Sequence, residues 1–224
     1  LLTEISNYTE RKYSLKYNPE NECLVTIGVS EALDVAMRAL LNPGDEVIIQ
    51  GPNWPDYRGQ IDMVNATAVW CGVDEKNGFK MTADLIEPLI TEKTKLIIIN
   101  SPSNPTGGVL DFEDLLEIAE LVKKHKIFII SDEPYERLVY DGFVQKSLAA
   151  IPGIEDYVLT GLSHENNVKV TVSGAGTFKA VSEEIITDHK MHTERFELSQ
   201  EVADLINATR AAAECMVARG SGVI

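Results

Sequence analysis

Two short polar motifs each close an apolar run. Ser103-Asn104-Pro105-Thr106-Gly107 follows Lys95-Leu96-Ile97-Ile98-Ile99-Asn100, and Ser131-Asp132-Glu133-Pro134-Tyr135 follows Ile127-Phe128-Ile129-Ile130. Uninterrupted β-branched runs of this kind read as strands buried on both faces, and residues 111–125 between them read as a helix. Strand, helix and strand make a βαβ unit. In open parallel sheets ligands bind beyond the carboxyl ends of the strands. The amide of Asn104, the carboxylate of Asp132 and the phenol of Tyr135 therefore converge on one pocket.

The elements that must position them can be read along the chain. Cys23-Leu24-Val25-Thr26-Ile27 reads as a strand, Gly28 as a tight turn, and Ser30 as the N-cap of a helix running through Leu41. Leu33, Ala36, Met37 and Leu40 fall at helical spacing in it. Asn42-Pro43-Gly44-Asp45 stops that helix, and residues 46–49 begin a strand that leads into the loop Gly51-Pro52-Asn53-Trp54-Pro55. A helix over 57–63, a strand over 67–71, a loop over 74–79 and a short helix over 82–90 follow. The helix over 111–125 opens on Asp111 and Asp114 and ends in Lys123, Lys124 and His125, which complements its dipole. Residues 1–20 read as a short helix or lead-in, with Tyr8, Tyr13 and Tyr17 too scattered to define a face. Alternating strands and helices place the chain in the α/β class. Farther on, 168–172 reads as a strand, 182–192 and 201–218 as helices, and Gly220-Ser221-Gly222-Val223-Ile224 as a turn entering a strand. The chain reads as ending in mid-fold.

Composition narrows the function classes. With 224 residues, 44% hydrophobic and 25% charged, the chain can bury a sizeable core, and no apolar run approaches the roughly 20 residues of a membrane span. Acidic residues outnumber basic ones by 35 to 20, and the net charge of −15 repels a phosphate backbone, so no nucleic-acid partner is expected. Cys23, Cys71 and Cys215 are odd in number and widely spaced, as reduced thiols in a cytoplasmic setting would be. His189 and His192, beside Asp188 and Glu194, read as an exposed polar helix face and not as a metal site.

Residues 21 to about 160 resemble the large domain of the fold-type I pyridoxal-phosphate aminotransferases, the aspartate aminotransferase-like class I/II family. The likeness rests on five segments in that family's order: Thr26-Ile27-Gly28-Val29-Ser30-Glu31-Ala32-Leu33, Asn42-Pro43-Gly44-Asp45-Glu46-Val47, Pro52-Asn53-Trp54-Pro55, Asn100 to Gly107, and Ser131 to Tyr135. It implies a three-layer α/β/α fold with a mainly parallel sheet. It also implies pyridoxal 5'-phosphate as cofactor, amino transfer between an amino acid and a 2-oxo acid, and a homodimer that completes the pocket. By that resemblance the backbone amides of Val29, Ser30 and Glu31 face the cofactor phosphate at a helix start, where free N–H groups favour an anion. Trp54 lies on the pyridine ring. Asn104 and Tyr135 donate to its phenolic oxygen. Asp132 pairs with the protonated ring nitrogen, which keeps the ring an electron sink.

Singly, these residues have plainer readings: Ser30 as a helix cap, Asn104-Pro105 as a turn, Asp132 as a cap and Trp54 as core. Five segments in one family's order weigh against that. The departures lie farther on. The family holds its cofactor as a Schiff base on a lysine, and in Tyr157-Val158-Leu159-Thr160-Gly161-Leu162-Ser163-His164 the lysine position reads His164. An imidazole moves protons but does not make that covalent link. Lys169 and Lys179 are near but lie outside the family's context, and Ser173-Gly174-Ala175-Gly176-Thr177 lacks the arginine that follows in the family. The expected organisation is a lead-in over 1–20, a cofactor domain over 21–160 and a divergent or truncated tail over 161–224. From about residue 167 the tail weakly resembles a short-chain dehydrogenase segment, in Ser173-Gly174-Ala175-Gly176 and Gly220-Ser221-Gly222. Two other readings stand beside the aminotransferase: a non-catalytic phosphate- or cofactor-binding or scaffold protein, and a chimera joined to a dehydrogenase-like tail.

Overall fold

Alternate residues of a single strand supply two separate cores. In β3 (Thr94–Asn100), Leu96 and Ile98 pack on one face of the sheet while Ile97 and Ile99 pack on the other, and all four are buried. The first face is covered by Leu33, Ala36 and Met37 of α2 (Gly28–Leu40) and by Tyr57 and Ile61 of α3 (Asp56–Met63). The second is covered by Ile118, Ala119 and Val122 of α5 (Phe112–His125), with Leu148 and Ile154 beyond it. Each aliphatic side chain fully removed from water contributes about 1.5–3 kcal/mol. Strands filled on both faces lose their polar alternation, which is why the apolar runs are continuous. The result is the expected three-layer α/β/α arrangement.

The computed structural model describes residues 1–162 and the backbone of 221–223. Six parallel strands run in the order β2-β1-β3-β4-β5-β6, where β1 is Glu46–Gly51, β2 Thr67–Gly72, β4 Phe128–Asp132, β5 Val158–Gly161 and β6 Ser221–Val223. From β1 the chain moves to one side to form β2 and then returns past β1 to form β3. That reversal creates a crevice outside the carboxyl ends of β1 and β3. Register places Asn100 beside Asp132, and Asp132 beside Gly161. Helix α1 (Leu2–Tyr13) precedes the sheet, and Ser14 ends it in the left-handed region. Among the described residues no helix is long and apolar enough to cross a membrane.

Two expectations for the approach to α2 are corrected. Residues 23–27 form no strand beyond an isolated bridge at Cys23, because the turn into α2 occupies that backbone: the Gly28 N–H donates to the Thr26 carbonyl at 3.0 Å and the Thr26 hydroxyl donates to the Gly28 carbonyl at 2.8 Å. Gly28 has φ +74, a conformation in which a side chain would be strained. Ser30 is not the N-cap either. The helix starts three residues earlier, with Ile27 at the cap position, and the Glu31 carboxylate folds back to accept the Ile27 N–H.

Elsewhere the differences are small. The helix expected over 82–90 is split into α4 (Ala83–Ile86) and a 3-10 turn (Glu87–Leu89), since Pro88 has no N–H to continue the α ladder. Residues 221–223 pair parallel with β5. The strand expected over 168–172, the helices over 182–192 and 201–218, and the tail resemblance from about 167 to 220 lie outside the described residues.

Helix α5 carries the best-defined cap. Asp111 accepts the Asp114 N–H at 3.0 Å, Asp114 returns a bond to the Asp111 N–H at 2.9 Å, and the Lys80 ammonium donates to both carboxylates at 2.7 Å. Asp111→Ala removes the cap and is expected to cost about 1–2 kcal/mol of stability, read as a lower urea midpoint at unchanged slope.

Candidate active site

At the carboxyl ends of β1, β3 and β4 lies a cavity whose wall includes Val29, Ser30, Trp54, Asn104, Asp132 and Tyr135. Six of the seven cofactor-site residues expected from the sequence are thus gathered on one space. Glu31 is not part of the wall; its carboxylate serves the Ile27 N–H at the start of α2. His164 lies outside the described residues. Tyr57, Asn100 and Pro134 complete the wall.

Asn100 ends β3 and joins the two motifs. Its amide nitrogen donates to the Asp132 carbonyl at 2.9 Å, and its amide oxygen accepts the Asn104 N–H at 2.7 Å. One side chain thereby fixes the distance between the loop carrying Asn104 and the strand end carrying Asp132. A second amide braces the same loop from β1: Gln50 donates to the Ser103 hydroxyl at 2.9 Å and to the Pro52 carbonyl at 3.2 Å. Asn104 in turn donates to the Tyr135 hydroxyl at 3.4 Å. On the opposite wall, Gln60 of α3 donates to the Ser30 carbonyl at 2.8 Å, tying α3 to the first turn of α2.

Asp132 is 4% exposed and its carboxylate is only half engaged. The Tyr57 hydroxyl donates to Oδ2, while Oδ1 has no hydrogen-bond partner among the described residues. Burial pushes the Asp132 carboxyl up to about 6, against a smaller pull downward from Tyr57. Burial and the adjacent Asp132 hold the Tyr57 phenol well above its ordinary range, so Tyr57 stays a donor. Tyr57 is itself buried and meets Trp54 edge-on, with ring centroids 5.6 Å apart and an interplanar angle of 89°. Gly161 makes room on the far side, because a Cβ there would stand 3.1 Å from Val29 Cγ1 and 3.6 Å from Asp132 Oδ1.

The wall therefore presents the first turn of a helix, one indole, an amide and phenol pair, and a buried carboxylate with an open oxygen. A flat, cationic, phosphorylated heterocycle answers each of these. An isolated ionised carboxylate in this environment is costly, and a charged N–H donor is the partner that offsets the cost. The residues present fit pyridoxal 5'-phosphate.

The fold and its cavity define an α/β domain of the kind that binds a phosphorylated cofactor at a sheet switch point. The sequence model of the family Aminotransferase class I and II matches residues 1–178, and the chain belongs to that family. The chain is 45% identical over 165 residues to "Putative aminotransferase YugH" of Bacillus subtilis (strain 168), covering 73% of this chain and 42% of the relative. It is 38% identical over 162 residues to "Aspartate aminotransferase" of Bacillus sp. (strain YM-2), covering 71% and 41%. The solved N-succinyldiaminopimelate aminotransferase from Mycobacterium tuberculosis superposes with a TM-score of 0.68 at 36% identity, over 71% of this chain and 42% of that one. The aromatic aminotransferase from Pyrococcus horikoshii OT3 gives 0.73 at 26% identity, over 95% and 56%. The chain spans about two-fifths of the length of the curated relatives it matches. A second family model, Queuosine biosynthesis protein, matches residues 155–224, a different family from the short-chain dehydrogenase suggested for that tail.

Two carboxylates give measurable expectations. Glu133, 2% exposed, accepts from the Ser131 hydroxyl at 2.6 Å, the Ser147 hydroxyl at 3.0 Å and the Leu148 N–H at 3.3 Å. Burial nevertheless pushes it from 4.5 to about 7. The folded chain thus keeps a proton that the unfolded chain releases, so Glu133 costs stability progressively as pH rises from about 4.5 through about 7. Glu133→Gln should flatten that decline, seen as a smaller difference between urea midpoints at pH 5 and pH 7.5. Tyr57→Phe removes a bond to the ionised form and should raise the titration midpoint of Asp132 further above its ordinary value, followed by carboxyl carbon NMR.

Proposed function

We propose that this chain is the pyridoxal-phosphate-binding domain of an aminotransferase that moves an amino group between an amino acid and a 2-oxo acid. The observation that carries this reading is the buried, half-satisfied carboxylate of Asp132 on the same wall as Asn104, Tyr135, Trp54 and the start of α2. Membership of the family and the names of its relatives support it. The cofactor unit is residues 21–160, with residues 1–20 as the lead-in and 161–224 as a divergent or truncated tail. In the cell the setting is cytoplasmic, consistent with Cys23 and Cys71 as free, buried thiols, and a second copy completes the pocket.

Bound pyridoxal phosphate supplies a cationic ring that withdraws electrons from the substrate α-carbon. This chain's residues hold and tune it. The backbone N–H groups of Val29 and Ser30, in the first turn of α2, would receive the phosphate. Trp54 offers a face to the ring without competing hydrogen bonds. Asn104 and Tyr135 donate at the phenolic oxygen. Asp132, its Oδ2 held by Tyr57, would offer its open Oδ1 to a protonated ring nitrogen.

His164 at the lysine position favours a second reading, in which the same pocket holds the cofactor without a covalent bond. One experiment separates the two. The chain is titrated with pyridoxal phosphate, the visible spectrum recorded, and the mixture reduced with borohydride before peptide mapping. A labelled lysine establishes covalent binding, and saturable binding without label establishes the non-covalent form. In either case Asp132→Ala is expected to weaken binding at least tenfold, the loss of about one charge-assisted hydrogen bond. Absence of any saturable spectral change would remove both readings.

A further inference from the structure

We infer that Glu136 and helix α1 position Tyr135, which makes α1 a support of the pocket wall from outside it. The inference rests on the cofactor reading above and extends it to a region remote from the pocket.

The segment after β4 presents its side chains on two sides. Asp132 and Tyr135 line the cavity, whereas Glu133 and Glu136 do not, and both of these carboxylates are buried, at 2% and 3% exposure. Each is tied to a different part of the fold. Glu133 is held by Ser131, Ser147 and the Leu148 N–H. Glu136 is held by α1: the Tyr8 hydroxyl donates to Oε1, the Tyr13 hydroxyl donates to Oε2, and the Lys12 ammonium sits 2.8 Å from Oε2. Lys12 also lies over both tyrosine rings, 5.6 and 5.0 Å from their centroids, and the Arg137 guanidinium approaches Oε1 at 3.7 Å. Burial pushes the Glu136 carboxyl up, but Lys12, Tyr13 and Tyr8 outweigh it and leave the group below its ordinary value.

Tyr135 has little hold of its own. Its bond with Asn104 is 3.4 Å long, near the limit of a useful hydrogen bond. Its placement comes from the turn, where the Glu136 N–H donates to the Glu133 carbonyl at 3.3 Å and the Leu138 N–H to the Tyr135 carbonyl at 2.8 Å. The residue next to Tyr135 is thus anchored at both carboxylate oxygens. Releasing that anchor frees the turn and, with it, the phenol.

The test compares the unmodified chain with Tyr8→Phe/Tyr13→Phe, which keeps both rings and the Lys12 pair, with Glu136→Ala, with Glu136→Gln, and with Ile118→Val as a core control. Pyridoxal-phosphate affinity is read by visible absorbance, and amide hydrogen exchange at residues 135–138 is followed in the cofactor-free chain. The paired tyrosine variant and Glu136→Ala are expected to bind about tenfold more weakly and to exchange faster at 135–138 by a similar factor. Glu136→Gln, whose amide oxygen still accepts, should stay within about threefold of the unmodified chain. Ile118→Val should lose stability without changing either readout. Unchanged exchange at 135–138 in the paired variant, or unchanged affinity despite faster exchange, overturns the inference while leaving the cofactor reading intact. An unmodified chain that binds no cofactor overturns the cofactor reading, and exchange alone then decides whether α1 anchors the turn.

Discussion

A carboxylate at the end of an apolar strand is the constraint around which this structure is arranged. Asp132 follows Ile129, Ile130 and Ser131 into the crevice, where water is excluded and the charged form is disfavoured. Its neighbours do not neutralise it. Tyr57 satisfies one oxygen, Asn100 holds the main-chain carbonyl and not the side chain, and Gly161 withdraws a Cβ from the other oxygen. A protein selected for stability alone would place an apolar residue there, since an uncompensated buried charge costs several kcal/mol. Keeping the group half-satisfied makes sense when its missing partner is a ligand, and perturbed groups of this sort gather at functional sites.

The surrounding braces follow from the same demand. A ligand that must meet a carboxylate, a phenol, an amide and a helix start at once needs loops held to fixed separations. Sheet pairing stops at the strand ends, so side-chain amides take over beyond them: Gln50 from β1, Asn100 from β3 and Gln60 from α3. Each reaches from a regular element to a loop or helix end that carries a wall residue. The loops are therefore as well determined as the strands they follow.

How much of this could be read from the residues depended on the range of the interaction. The strands over 94–100 and 128–132 were legible because burial on both faces writes itself into a continuous apolar run, and α5 because Asp111, Asp114 and the terminal lysines mark its ends. The wall residues Trp54, Asn104, Asp132 and Tyr135 were legible because each sits in a short motif at a strand end. Local detail at α2 misled: Ser30 has the right chemistry for a cap, but the turn at Gly28 starts the helix earlier and Glu31 serves its first N–H. Long-range partners left no trace. Tyr57 bonds a residue 75 positions away, and Tyr8 one 128 positions away. Tyr8 and Tyr13 are about 140° apart around a helix, so they form no stripe; they converge only because a carboxylate has two oxygens and enters between them.

The two-sided turn after β4 sets a rule for how this region can change over evolutionary time. Surface loops ordinarily accept an extra residue at small entropic cost. Between Asp132 and Tyr135 a single added residue would advance the phase of everything after it. Inserted directly after Asp132, it would carry Tyr135 to the buried place of Glu136 and bring Glu133 to the place of Pro134 on the cavity wall. Length at this point is consequently as fixed as residue type, and drift in the segment must proceed by replacement and not by insertion or loss.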